Sequence, residues 1–131
     1  VQYANARVNS ILRKARDAGI ACDDPSLLAA DLTGVTHEAE LAMMRKIAEW
    51  PRLGEIAARG NEPHRIAFYL YELASEFHGL WNRGNDEPAL RFIQEGNAAT
   101  SAAKITLARA TGVVIAAGLG ILGVTPVEEM R

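Results

Sequence analysis

The stretch HRIAFYLYELASEFHGLWNRG, residues 64–84, holds five of the eight aromatic residues in this 131-residue chain. At about 100° per residue, one broad apolar stripe is formed by Ile66, Leu70, Leu73, Phe77, Leu80 and Trp81. The stretch therefore predicts a long amphipathic helix over 63–82, with this stripe buried in the core.

A second row of the same helix is mixed in polarity and comprises His64, Phe68, Tyr71, Ser75, His78 and Asn82. Rings in such a row serve either as a secondary contact with a neighbouring helix or as a surface on which unpaired bases stack. We expect the helix contact for the row. Trp81 lies one turn from the helix end, where a half-buried ring can serve both purposes.

The remaining apolar residues are also spaced as in helices, and no alternating run of strand length occurs. The spacing predicts helices over 1–18, 26–30, 36–50, 51–60 and 98–122, with Thr36 as the N-cap of the third. We therefore expect an all-α fold, a helical bundle of up-and-down character formed by a single domain over 1–131.

The uncharged run over 110–127 approaches the length of a membrane span. It contains four glycines and reaches Pro126, so an interior helix with no membrane contact is the expectation. Gly112, Ala116 and Gly120 are spaced by four, and this row of small residues predicts the close approach of a neighbouring helix.

The charge balance limits the kinds of partner. Fourteen Lys and Arg stand against sixteen Asp and Glu, a formal net charge of −2. This balance argues against a broad basic surface for nucleic acid, but it leaves room for a local site. Cys22 is the only cysteine, which excludes an internal disulfide and a cysteine-based metal cluster. With no apolar leader at the start, we expect a reduced, cytoplasmic setting.

Catalytic patterns are missing from the sequence. The three histidines show no metal-ligand spacing, and no glycine-rich phosphate loop follows a strand. Glu72 and Glu76 lie one turn apart on a polar face, as solvated charges do. We therefore predict a binding module with no catalytic residue, no metal site and no cofactor of its own.

The first helix carries a row of Tyr3, Arg7, Ser10 and Lys14 at the edge of its polar face. A ring with two cations one or two turns away suits a stacked base and its phosphates. A solvated amphipathic flank explains the same row and is the preferred interpretation of the row taken alone.

Three ordered stretches resemble the C-terminal region of arginyl-tRNA synthetases. VQYANAR, at residues 1–7, resembles the family's VQYAHAR; PHRIAFYLYELASEFHGLWNRGN, at 63–85, resembles its central helix. LARATGVVIAAGLGILGVTPVEEM, at 107–130, resembles its final helix and terminal LGV-x-P-x-x-M. The sequence departs from the pattern at two places: Asn5 stands where the family usually has histidine, and Lys104-Ile105 replaces the usual Arg-Leu.

The resemblance implies an anticodon-binding domain of the DALR type, a fragment of a larger class I synthetase. The implied partners are the anticodon loop of arginine tRNAs and the chain's own upstream catalytic domain. That domain would ligate arginine to tRNA using ATP with magnesium, and the fragment alone would be non-catalytic. The residues implied at the anticodon are Tyr3, Arg7, Phe77, Trp81 and Met130. Lys14 and Arg83 are the candidate phosphate contacts.

Two alternatives remain open at this point. One is the anticodon domain of a glycyl or cysteinyl synthetase, which shares the helical type. The other is a helical protein-interaction module, which would present a contiguous apolar patch and no basic lining near Tyr3 and Trp81.

Overall fold

The computed structural model describes residues 1–130, and Arg131, which extends past the terminal methionine, lies outside them. Within the described part of the chain there is no strand. The helices are α1 (Gln2–Asp17), α2 (Asp24–Leu28), α3 (Glu38–Ala48), α4 (Trp50–Arg59), α5 (Pro63–Asp86) and α6 (Ala98–Ile121), and a 3₁₀ turn at Pro88–Leu90 follows α5. The predicted all-α bundle is confirmed.

The polar residues before α2 and α6 fix where these helices begin. The carboxylate of Asp23 accepts a hydrogen bond of 3.3 Å from the backbone N–H of Ser26. The side-chain oxygen of Asn97 accepts one of 3.1 Å from the N–H of Thr100. Each side chain satisfies one of the N–H groups that a helix leaves unpaired at its start.

The start and end of α3 differ from the prediction. His37, and not Thr36, is the N-cap, because its ring Nδ1 accepts a hydrogen bond of 3.0 Å from the N–H of Ala39. The helix ends at Ala48, and α4 already begins at Trp50. Proline in the second position of α4 explains this early start, since its fixed φ suits the first turn of a helix.

Helices α1 and α6 run antiparallel and in close contact. A Cβ placed on Gly112 would lie 2.8 Å from Cγ1 of Val8, so the contact requires a residue without one. Gly118 is similarly close to Leu70 of α5. A Cβ at Gly120 would have no neighbour within 4 Å, so the close approach predicted for the row of small residues is confirmed at Gly112 and wrong at Gly120.

The apolar stripe of α5 is buried as predicted, apart from the partly buried Trp81. The second row is exposed except for His78, which is partly buried and packs on Tyr3 of α1. Its two largest rings are mainly exposed. Phe68 is 66% exposed and Tyr71 is 70% exposed. Helices α3 and α4 instead pack on the flank of α5 that carries Tyr69, whose ring stacks on Trp50 with 5.8 Å between centres.

A buried ion pair joins α3 to α6. The Lys104 ammonium lies 2.7 Å from the Glu40 carboxylate, and their side chains are 7% and 4% exposed. Both charges are almost fully removed from solvent, so each depends on the other for stabilisation. Lys104 stands where the resembled family usually has arginine, and it is a cation paired with a carboxylate.

Helix α6 is long and apolar enough to cross a membrane by length and composition, and 56% of its most apolar window is buried inside the fold. Twelve of its residues are buried, and it packs against α1, α2, α3 and α5. This is the packing of an interior helix, as the sequence predicts.

Candidate nucleic-acid interface

A cleft of about 510 Å³ lies between α1, the C-terminal half of α5 and the C-terminal tail. We call it the Trp81 pocket. Its lining residues are Tyr3, Ala6, Arg7, Ser10, Arg13, Lys14, Trp81, Glu129 and Met130. The structure thus brings together five of the seven residues predicted at the site.

Arg7 lies between the two rings of the pocket. Its guanidinium carbon is 5.0 Å from the centre of the Tyr3 ring and 4.8 Å from that of Trp81. Its terminal nitrogen also donates a hydrogen bond of 3.3 Å to the Tyr3 hydroxyl. A guanidinium held over aromatic faces interacts with their electron density and leaves its edge open to an anion.

Two of the three cations of the pocket, Arg7 and Lys14, differ from most of the cations elsewhere in the fold. Arg45, Arg59, Arg65, Arg83 and Arg109 each pair with a carboxylate. Within the described residues, neither Arg7 nor Lys14 lies within 4 Å of one, although the ammonium of Lys14 is 5.9 Å from the Trp81 ring centre. Both cations are therefore available to phosphate.

Trp81 is supported from the core side. Its ring stacks with Phe92 at 6.2 Å between centres and 18° between planes, and Phe92 in turn lies 5.6 Å from Phe77. Phe77 has no exposed surface, so it is not available to a base. The prediction for Phe77 is therefore corrected: its ring fills the core behind Phe92, and only Trp81 of the pair reaches the pocket.

The C-terminal tail is tied to the first turn of α1 by two amide side chains. Gln2 donates a hydrogen bond of 2.9 Å to the carbonyl of Thr125 and accepts one of 2.8 Å from the N–H of Val127. Asn5, which is 5% exposed, donates one of 2.9 Å to the Val127 carbonyl. We call Gln2 and Asn5 the tail clamp. It places Met130, which is 52% exposed, at the wall of the pocket.

Sequence reasoning missed the tail clamp. The sequence identifies Asn5 only as a replacement for histidine, and it assigns no role to Gln2. Their partners lie more than 120 residues away, in a segment without helical periodicity. The one sign of the clamp in the sequence is that two amide side chains, those of Gln2 and Asn5, lie three residues apart at the start of a helix.

Arg13 and Arg83 each pair with a carboxylate, but Arg13 lines the pocket and Arg83 does not. Arg13 lies 3.9 Å from Glu129, the one carboxylate among the lining residues. Arg83 lies outside the lining and forms an ion pair of 2.9 Å with Glu87. The structure therefore separates Arg83 from the other predicted phosphate contact, Lys14.

His78 borders the pocket through Tyr3, with 5.5 Å between the ring centres. Burial lowers the pKa of the His78 imidazole below its usual 6.5, and the nearby Arg7 guanidinium lowers that pKa further. The ring is therefore mainly neutral at pH 7 and offers a flat surface beside Tyr3.

The described residues contain no group of three or more side chains that could hold a metal ion. Cys22 is buried, with its sulfur 3.6 Å from the carbonyl oxygen of Leu12. What the pocket offers is an assembly of rings and cations, the chemistry with which proteins bind single-stranded RNA.

Comparisons with known proteins agree with this chemistry. A family model described as "DALR anticodon binding domain" matches residues 1–130. The chain is 71% identical over 131 residues to an arginine–tRNA ligase of Ruegeria pomeroyi, and 70% and 67% identical to those of Cereibacter sphaeroides and Paracoccus denitrificans. Each alignment covers 100% of this chain and 22% of the relative, so the chain spans about a fifth of the length of these curated relatives.

Proposed function

The chain belongs to the DALR anticodon-binding domain family, and from this premise we propose that the Trp81 pocket binds unpaired bases of a tRNA anticodon loop. The observation that carries the proposal is the position of Arg7 between the rings of Tyr3 and Trp81, with Lys14 alongside. Exposed rings hold bases by stacking, and cations without carboxylate partners hold the phosphates that join them.

The geometry suits a single strand better than a duplex. Bases in a paired helix are covered on both faces by their neighbours, so rings such as Tyr3 and Trp81 would find no surface to stack on. Bases of a loop are unstacked and can enter a cleft of this size. Each base stacked on a ring contributes roughly 1–3 kcal/mol.

We extend the proposal to the intact protein through its relatives' names. The chain serves as the tRNA-recognising part of an arginine–tRNA ligase, and its cognate RNAs are the arginine isoacceptors. A catalytic domain elsewhere in that protein ligates arginine using ATP with magnesium, in the cytoplasm. The residues described here supply recognition, and their chemistry includes no catalytic group.

The two alternative functions agree less well with the same observations. A protein-interaction module predicts no basic lining near Tyr3 and Trp81, whereas Arg7, Arg13 and Lys14 line the pocket. A glycyl or cysteinyl synthetase origin has no support from the relatives reported above, whose names all specify arginine.

The experiment is a binding titration of the chain with two RNAs. One is the anticodon stem-loop of an arginine tRNA, and the other is a blunt duplex of the same stem without the loop. We expect saturable binding of the stem-loop and at least tenfold weaker binding of the duplex. Equal affinity for both RNAs, or no binding of either at low salt, would contradict the proposal.

A further inference from the structure

The side of α6 that faces away from the core is apolar over the last three turns of the helix. We call its residues the α6 stripe: they are Ala110, Val113, Ala116, Ala117, Gly120 and Ile121. Val113 is 49% exposed and Ile121 is 61% exposed, and Val124, which follows shortly after the helix, is 41% exposed. A helix at the surface normally carries polar and charged side chains on its outer side, so this stripe lacks the usual solvated face.

Helix α2 covers the same side of α6 only before the stripe begins. The Thr106 hydroxyl donates a hydrogen bond of 3.3 Å to the Leu27 carbonyl, and Arg109 lies 3.0 Å from Asp24 in an ion pair. From residue 110 to residue 127 no charged residue occurs. The outer side of α6 thus changes at Ala110 from a polar surface with partners to an apolar surface open to solvent.

The stripe ends beside the start of the chain. Thr125 directly follows Val124, and its carbonyl accepts the hydrogen bond of 2.9 Å from Gln2, which is next to Val1. In the proposed function this chain is the C-terminal domain of a ligase, and it spans 22% of the length of its relatives. The remaining four-fifths of such a ligase therefore joins the chain at Val1, close to the end of the stripe.

The size of the stripe suits a tethered partner better than a free one. At 1.5 Å per residue, residues 110–121 extend over about 17 Å, and a helix about 10 Å wide gives a footprint of roughly 200 Å². A stable complex between free proteins buries about 800 Å² on each partner, so a second copy of the chain would gain too little from this surface. A partner in the same polypeptide has an effective concentration in the millimolar range, and a small contact is then sufficient.

We propose that the α6 stripe docks on an apolar surface of the part of the ligase that precedes Val1, and so fixes the orientation of this domain relative to that part. The inference rests on the proposed function only in making the chain one domain of a longer ligase. The small side chains of Ala116, Ala117 and Gly120 let the partner approach the helix closely, and Val113 and Ile121 supply the larger contacts.

The test measures the accessibility of the stripe in the full-length ligase that contains this chain, without RNA. Ile121→Cys is labelled with N-ethylmaleimide, and the rate is followed by mass spectrometry of the peptide and divided by the rate in urea. Leu28→Cys is the matched control, because Leu28 is 85% exposed on α2, at the far end of α6 from the stripe's end. We expect Ile121→Cys to react at least tenfold more slowly than Leu28→Cys, although both positions are exposed in this structure.

Two further variants disrupt the docking itself. Val113→Lys or Ala117→Glu, each combined with Ile121→Cys, places a charge on the stripe and should raise the labelling rate to within about threefold of that of Leu28→Cys. The two substitutions carry opposite charges, so a direct electrostatic effect on the thiol would move the two rates in opposite directions. Both positions are exposed, and thermal unfolding checks that each variant retains the fold.

Each outcome decides the inference. Equal labelling of Ile121→Cys and Leu28→Cys overturns the docking, as does protection that persists in both charged variants. Protection that disappears on dilution of the ligase assigns the stripe to a second copy and also overturns it. Because RNA is absent from this experiment, loss of the docking leaves the proposed function standing if the stem-loop titration succeeds. Failure of that titration removes the proposed function whatever the labelling shows.

Discussion

The guanidinium carbon of Arg7 lies 4.8 Å from the centre of the Trp81 ring, so the cation shields the aromatic face that a base would use. Arg7 can leave this position when a phosphate offers it a better electrostatic partner. We infer that phosphate binding and base stacking are linked at this pocket.

The cations of the pocket predict a specific dependence of affinity on salt. A single strand releases counterions such that the logarithm of affinity falls with the logarithm of salt by about 0.7 for each phosphate neutralised. Lys14→Gln should reduce this slope by about that amount. Arg83→Gln should leave it unchanged, because Arg83 pairs with Glu87 outside the pocket. Fluorescence anisotropy of a labelled stem-loop over a salt series measures both slopes, and equal slopes in the two variants would remove Lys14 from the phosphate contacts.

The tail clamp predicts non-additive effects on RNA binding. Gln2→Ala combined with Asn5→Ala removes three hydrogen bonds and should release the segment that carries Met130. RNA affinity should fall severalfold, and deleting residues 125–131 from this double variant should cause no further loss. In the unmodified chain, deleting residues 125–131 should lower RNA affinity by as much as the double substitution does.

A matched control for the clamp is Asn9→Ala, since the Asn9 side chain donates its hydrogen bond to the Asn5 carbonyl and not to the tail. Its RNA affinity should remain that of the unmodified chain. Additive losses from the clamp variant and the deletion would mean that Gln2 and Asn5 act on RNA by another route.

The depressed pKa of His78 predicts a pH effect with a definite sign. The folded chain binds the His78 proton more weakly than the unfolded chain, whose pKa is near 6.5. The free energy of unfolding should therefore fall as the pH drops from about 6.5 through the folded-state pKa. Arg7→Gln should raise the folded pKa, because it removes one of the charges that oppose protonation.

NMR titration of the His78 ring proton in the free chain, in Arg7→Gln and in the RNA complex measures this directly. Bound phosphates should raise the pKa relative to the free chain. A His78 that titrates at 6.5 or above in the free chain would contradict this account of its surroundings.

The buried pair of Lys104 and Glu40 predicts opposite outcomes for single and double substitution. Lys104→Met leaves the Glu40 carboxylate buried without a partner and should lower the free energy of unfolding by about 3–5 kcal/mol. Glu40→Leu combined with Lys104→Met replaces both charges by apolar groups and should recover most of that loss. Urea denaturation of the three proteins checks this. A double variant no more stable than the single one would show that the pair has a role beyond mutual neutralisation.

The sequence predicted the helices because apolar periodicity is a local property that packing reinforces. The same periodicity predicted the burial of Phe77, which occupies the centre of the apolar stripe of α5. The resemblance to the synthetase family assigned the same ring to the anticodon. The helical periodicity was the better guide, because it places Phe77 near the centre of the stripe and Trp81, about 40° further round the helix, at its edge.

The pocket itself was only partly predictable. Tyr3, Arg7 and Lys14 share a helix row, so their proximity follows from spacing alone. The position of the tail at the pocket depends on hydrogen bonds from Gln2 and Asn5 to backbone groups of an irregular segment. Such hydrogen bonds leave no periodic pattern in the sequence. The position of Phe92 beneath Trp81 similarly arises from a turn after α5 whose path depends on tertiary contacts.

The most direct test of the account uses the two tryptophans of the chain, whose indole N–H groups give separate NMR signals. Trp81 lines the pocket, whereas Trp50 stacks on Tyr69 on the α3–α4 side of α5 and serves as an internal control. On titration with the anticodon stem-loop, we predict that the Trp81 signal shifts in proportion to the fraction bound while the Trp50 signal stays in place. Binding of the RNA with an unmoved Trp81 signal would contradict the central claim.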